Sequence, residues 1–165
     1  MIFASVGSML PFDRFVRAVD EWAAENPSEE VFIQIGEGEY EPRHAPFTRI
    51  MPHGEYRGRL EACDLFVAHV GMGSILQSLE LRKQLLMLPR LAAQREHTTD
   101  HQLHTAARFS HVQGLLIVDD TDALKAAMTR LLKEPLKPSD GLSPYAPQPM
   151  IDNVARYLAA GSTPQ

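Results

Sequence analysis

The feature that most constrains this chain is an alternation of two patterns. Short apolar runs of strand length are separated by longer stretches with helical periodicity. The runs are Ile2–Val6, Val31–Ile35, Leu65–His69, Leu85–Leu88 and Leu115–Val118, with Phe47–Met51 a weaker sixth. Each is bounded by Gly, Pro or Asp, the pattern of parallel strands buried on both faces. Between them, Phe12, Phe15, Val16, Val19 and Trp22 recur at helical spacing, with Pro11 suited to a helix start. Further helices are read over Ser74–Arg82, Asp100–Phe109 and Thr121–Leu132, the last capped by Asp120 or Thr121, and a shorter one over Tyr56–Cys63. Strand alternating with helix implies right-handed βαβ units, so the expected fold is α/β, a Rossmann-like parallel sheet with helices on both faces. Ligands in such sheets bind beyond the carboxyl ends of the strands.

The 165 residues are expected to form one domain, 1–165. Within it, residues 133–149 read as a Pro-rich connection and 150–160 as a C-terminal helix, in which Ile151, Val154, Tyr157 and Leu158 recur. The formal net charge is −5, which sets the chain apart from the basic domains that bind nucleic acid. Cys63 is the one cysteine, so no internal disulfide is possible and a cytoplasmic setting fits. The opening residues lack the basic stretch of a secretory signal. No run approaches the roughly 20 apolar residues of a membrane span, so any membrane role has to come through a partner.

The strongest local signal runs from Leu65 to Leu76: a strand ending at His69, a turn with Gly71 and Gly73, and a helix starting near Ser74. Glycine lets a ligand approach the backbone, and a helix N-terminus offers N–H groups and partial positive charge to a phosphate. Ser74 can cap the helix or donate its hydroxyl; a plain β-turn-α connection is the alternative. The motif has no Lys of a Walker A loop. Leu76 stands where a dinucleotide fingerprint needs its last Gly, which argues against NAD. A second small-residue turn, Gly7-Ser8, follows the first strand at the same sheet end. The polar stretch Pro89–Gln102 follows the strand Leu85–Leu88 and concentrates Arg90, Arg95, Glu96, His97, Asp100 and Gln102, groups able to hold sugar hydroxyls or simply to face solvent.

His97, His101 and His104 are spaced i, i+4, i+7, but Asp100 replaces the Glu of a zinc-hydrolase helix, and no metal site is expected. Arg43, Arg49, Arg57 and Arg59 form a basic stretch that is either a solvated face or a contact for an anionic partner.

Taken together, FASVGSMLPFDRFVRAVD, VFIQIGEGEYEP, HVGMGSILQSLE and LPRLAAQREHTTDHQ resemble the C-terminal, donor-binding domain of the family 28 glycosyltransferases. The likeness runs to about residue 132 and is closest to the PssE-like small subunits of two-subunit bacterial exopolysaccharide glycosyltransferases. It implies half of a GT-B arrangement, with UDP-sugar as donor substrate and no cofactor. A membrane-attached acceptor-binding subunit would supply the other half, the general base and the site for a lipid-linked saccharide. Gly71, Gly73, Ser74, Gly7 and Ser8 match diphosphate-binding positions. Glu96, His97, Asp100 and Gln102 match positions near the sugar, and Ile50 and Met51 stand where the uracil would sit. Gln77 takes the ribose-binding place, where relatives carry Glu; Glu80, one turn on, is a candidate substitute. The alternative is a non-catalytic UDP-sugar-binding regulatory module.

Overall fold

The computed structural model describes residues 1–141 and 145–160. Pro144, counted in the Pro-rich connection, and residues 161–165 lie outside the described residues. Among those described, all six apolar runs form strands: β1 (Ile2–Ser5), β2 (Val31–Gln34), β3 (Phe47–Thr48), β4 (Leu65–His69), β5 (Leu85–Leu88) and β6 (Leu115–Ile117). The helices are α1 (Asp13–Glu25), α2 (His53–Ala62), α3 (Met72–Glu80), α4 (His101–Phe109), α5 (Thr121–Lys133) and α6 (Gln148–Ala160).

Every neighbouring pair of strands is parallel, and the order across the sheet is β3-β2-β1-β4-β5-β6. From β1 the chain winds outward through β2 to β3. It then crosses back to lay β4 along the free side of β1 and winds outward the other way. The connections leaving β1 and β4 therefore diverge, and a crevice opens at their carboxyl ends.

The central strands β1, β4 and β5 are buried on both faces, which is why their sequences read as continuous apolar runs. Ile2 and Ala4 of β1, Ile33 of β2, Val67 of β4 and Leu86 of β5 share a core with Phe15, Val19 and Trp22 of α1 and Leu124 and Met128 of α5. The alternate residues Phe3, Phe66, Ala68 and Met87 pack on the other face with Leu60 of α2 and Ile75 and Leu79 of α3. Each large apolar side chain buried this way contributes roughly 1.5–3 kcal/mol. Trp22 adds a directional tie between helices, its Nε1–H donating to Thr129 Oγ1 at 2.9 Å.

One polar group belongs to this frame. Asp20 on α1 is fully buried, and its carboxylate accepts from Tyr40 Oη (2.7 Å) and the backbone N–H groups of Arg43 (2.9 Å), His44 (2.8 Å) and Ala45 (3.0 Å). It fastens the 40–45 loop that leads into β3. Burial pushes its carboxyl up, but these hydrogen bonds outweigh it and leave the group below the ordinary Asp range.

Four helix starts differ from the sequence reading: α6 begins at Gln148 rather than at 150, inside the stretch read as a connection, and the other three differ for local reasons. α2 begins at His53 rather than near Tyr56, because Pro52 is well placed as its N-cap residue. α3 begins at Met72 with Gly71 as N-cap, so Ser74 is the third residue of the helix and not its cap. α4 begins at His101, and the Asp100 carboxylate turns back to accept from Ala92 N–H at 3.0 Å. For α5 the cap is Asp120, whose Oδ1 accepts from Ala123 N–H at 2.8 Å. Among the described residues, no helix is long and apolar enough to cross a membrane.

Candidate functional site

The crevice between the ends of β1 and β4 holds an open cavity of about 380 Å³, within the roughly 300–1,000 Å³ usual for ligand pockets. Its walls come from five places, the first being Gln34 at the end of β2. Val6, Gly7, Ser8 and Met9 follow β1. His69 ends β4, and Gly73, Ser74 and Gln77 lie on the first turns of α3. Ile50, Met51, His53 and Tyr56 bring in the start of α2, and Arg90 follows β5. The N-termini of α2 and α3 thus converge on one space. Neither helix has a side-chain cap, so their leading N–H groups and positive dipole ends are free to serve an anion.

Among the described residues, four buried side-chain polar atoms lack a hydrogen-bond partner; three of them, Gln34 Oε1, His69 Nδ1 and Arg90 Nε, belong to residues of this cavity. Unpaired buried polar groups are costly and rare, and here they lie just behind the cavity surface. A second concavity of about 520 Å³ lies elsewhere, walled by Asp64, Arg82, Lys83 and Pro135 among others. None of those three atoms belongs to it.

The electrostatics are those of an anion site. Arg90 is 3% exposed and, among the described wall residues, supplies the fixed positive charge. Burial lowers its guanidinium to about 10, partly offset by Glu96, which leaves it charged near neutral pH. Burial, helped by the Arg90 charge and opposed by the Ser5 backbone, takes His69 down to about 4, so its imidazole is neutral there. Burial also raises the Tyr56 phenol, which lies against the Ser5 and Ser74 hydroxyls. None of the described wall residues is Asp or Glu.

The residues singled out from sequence divide into two groups. Gly7, Ser8, Gly73, Ser74 and Gln77 meet in the cavity wall, with Ile50 and Met51 beside them. At Gly73, nothing lies within 4 Å of where a Cβ would stand, so that backbone is open to a ligand. Gly71 sits behind the wall, where a Cβ would run into the His69 ring. Glu96, His97, Asp100 and Gln102 are not in the wall. Glu96 is held in a two-pronged ion pair by Arg14 (2.8 Å to each oxygen), which also donates to Pro89 O, while Glu96 accepts from Leu91 N–H. Gln102 is buried with Oε1 accepting from Arg90 N–H at 3.0 Å. His97 Nδ1 accepts from Thr99 N–H at 3.1 Å.

His97 precedes α4, so the three histidines do not share a helical face, and among the described residues no metal-holding cluster of His, Cys, Asp or Glu forms. Glu80 lies outside the wall and takes Arg57 at 3.3 Å. Arg49 pairs with Glu41, and Arg59 with Glu55, so most of the basic stretch is neutralised locally. His53, Tyr56 and Gln34 escaped the sequence reading as site residues. A Pro-His-Gly helix start was the available signal for His53; nothing local points to Tyr56 or Gln34, which reach the site through the topology.

The family model of the glycosyltransferase family 28 C-terminal domain matches residues 1–151. The chain belongs to this family. No curated protein matches it. Among solved structures, the fold of this family 28 domain resembles the NMR solution structure of ALG13, at TM-score 0.59 and 20% identity over 93% of both chains. It also resembles the crystallised glycotransferase of kitacinnamycin, at TM-score 0.58 and 23% identity over 81% of this chain and 35% of that one. The spinosyn forosaminyltransferase SpnP aligns at TM-score 0.53 and 18% identity, again over 81% and 35%. The family 28 domain therefore spans about a third of the length of those last two proteins.

Proposed function

We propose that this chain is the donor-binding part of an inverting UDP-sugar glycosyltransferase. It acts with a membrane-attached acceptor-binding subunit at the cytoplasmic membrane face, on a polyprenyl-diphosphate-linked saccharide in exopolysaccharide synthesis. The observation that carries the reading is the convergence of two uncapped helix N-termini, an open glycine backbone and a buried guanidinium on one crevice at the switch point of a family 28 sheet. In this reading the diphosphate lies at Gly73 and Ser74 with the Gly7-Ser8 turn opposite, the ribose reaches Gln77, and the base lies against Ile50 and Met51.

The acceptor hydroxyl oxygen bonds to the anomeric carbon as the bond from that carbon to the β-phosphate oxygen breaks. UDP departs with the electron pair, and the hydroxyl proton passes to a general base. The preset N–H groups of α3 and the Arg90 charge stabilise the leaving diphosphate. The family resemblance puts the general base on the partner subunit, and none of the described wall residues is a carboxylate. Exposed apolar side chains at Met9, Ile50, Met72 and Leu76, and along α6 at Met150 and Val154, support docking of such a partner. Glucuronate is the sugar the resemblance suggests; Arg90, which lines the cavity, can pair with its carboxylate, and Arg95 lies outside the wall.

Gly73→Ala tests the reading with two readouts of opposite sign. Its Cβ meets no protein atom, and Ala is the better helix former by up to about 1 kcal/mol, so thermal stability holds or rises. The added methyl group intrudes on the diphosphate, so UDP affinity falls about tenfold, roughly 1.4 kcal/mol. Unchanged UDP affinity in this variant would remove the diphosphate from the α3 turn.

A further inference from the structure

We propose that His69 and Arg90 form a positioning pair that sets the spacing between the β1–α1 turn and the β4–α3 turn, and through it the grip of the site on a nucleotide diphosphate. The affinity consequence rests on the donor-site reading above; the spacing itself does not.

His69 ends β4, the strand beside β1, and its ring stands between the two turns. A Cβ on Gly7 would lie 2.7 Å from His69 Cε1, and a Cβ on Gly71 would run into Nε2. Gly7 has φ +77° and needs glycine for its backbone as well. Gly71 has φ −114°, a conformation open to any residue, so the imidazole alone excludes a side chain there. Both turns therefore lean on one ring, and its width fixes how closely they approach.

Arg90 fastens the near turn. Its Nη2 donates to Val6 O at 2.8 Å and Leu10 O at 2.5 Å, the two carbonyls that bracket Gly7, Ser8 and Met9. Arg90 is itself held by Gln102 at its backbone N–H and by Phe12, whose ring centroid lies 5.0 Å from the guanidinium carbon. The far turn is tied to the same imidazole residue, Gly71 N–H donating to His69 O at 2.8 Å. Phosphate-binding backbone groups work only within a narrow tolerance, about 0.5 Å. A spacer and a fastener at this position thus control affinity through the two turns that they hold, in addition to any contact of their own with the ligand.

The test is a double-mutant cycle on the full chain, read by denaturant unfolding, together with UDP titration. Gly71→Ala alone lowers the unfolding midpoint. His69→Ala makes room for the new methyl group, so the double variant is more stable than the sum of the singles predicts, by well over the few tenths of a kcal/mol of additive pairs. Additive effects would overturn the spacer role. Should His69→Ala fail to fold, His69→Asn takes its place in the cycle.

In the second arm, His69→Ala and Arg90→Met each lose about tenfold in UDP affinity while remaining folded, and Arg90→Lys recovers part of the loss. The backbone amide resonance of Gly73 shifts in His69→Ala, and that of Ser8 in Arg90→Met. Parental affinity and unmoved amides in both would overturn the proposal. If the parent itself fails to bind UDP, the donor-site reading fails, and the stability cycle still decides whether the two turns share one spacer.

Discussion

Asp20→Ala lowers the free energy of unfolding by roughly 3–5 kcal/mol, the range for stripping a buried charged group from its partners. The carboxylate takes four donors at once, three of them backbone N–H groups in consecutive residues of the 43–45 turn. Its loss leaves those donors to find water in a place packed by α1 and β2. The effect extends beyond α1, because the loop it holds delivers β3 to the sheet edge, and the chain from β3 runs on through Ile50 and Met51 into α2.

The same group ties stability to acid. Its folded-state carboxyl titrates below the ordinary 3.8. Its contribution is therefore fully present above the unfolded-state value and is lost as pH falls below that value through the folded one. Chemical unfolding at neutral pH and near pH 3 checks both statements: the gap between parent and Asp20→Ala is wide at neutral pH and narrows in acid. A variant as stable as the parent at neutral pH would refute the anchoring role.

Gly7→Ala is the second large effect, and it links stability to binding. The residue has φ +77°, where an L side chain costs about 1–2 kcal/mol, and its Cβ would press on His69, with overpacking typically costing 1–3 kcal/mol more. The variant loses roughly 2–4 kcal/mol of stability. UDP binding drops below detection, because the displaced turn carries Ser8 and Met9 with it. Combining it with His69→Ala relieves the clash but not the backbone strain, so rescue is partial, in contrast to the fuller rescue expected at Gly71. Thermal melting and UDP titration of the two double variants separate these cases. Equal rescue at both glycines would contradict the division between strain and clash.

The sheet was legible because its central strands are buried on both faces. Ile2–Val6 and Leu65–His69 are continuous apolar runs since helices cover both sides, and turn residues end each run. The two turns that meet at the crevice were legible for a related reason: glycine at a strand end is visible without coordinates. The cause of each glycine was not. Gly73 faces open space, Gly71 faces an imidazole, and Gly7 combines a left-handed backbone with the same imidazole; sequence alone gives the three one appearance.

The polar stretch after β5 shows the opposite limit. Glu96 and Gln102 carry the hydrogen-bonding groups that a sugar site needs, yet Glu96 takes Arg14 from eighty-two residues away and Gln102 takes the Arg90 backbone. Long-range pairings of this kind leave no periodic trace. Asp20 was hidden in the same way, a carboxylate on the apolar face of α1 whose donors come from a separate loop. Helix starts were misplaced by two or three residues where Gly71 and Pro52 serve as N-caps without a capping side chain, and that shift is what concealed His53.

The most direct test of the central claim is calorimetric titration of the full chain with UDP, with NAD as the control ligand. The account predicts saturable UDP binding that weakens in Gly73→Ala and no binding of NAD. Absence of UDP binding, or NAD binding that Gly73→Ala abolishes, would contradict a nucleotide-sugar site at the crevice between β1 and β4.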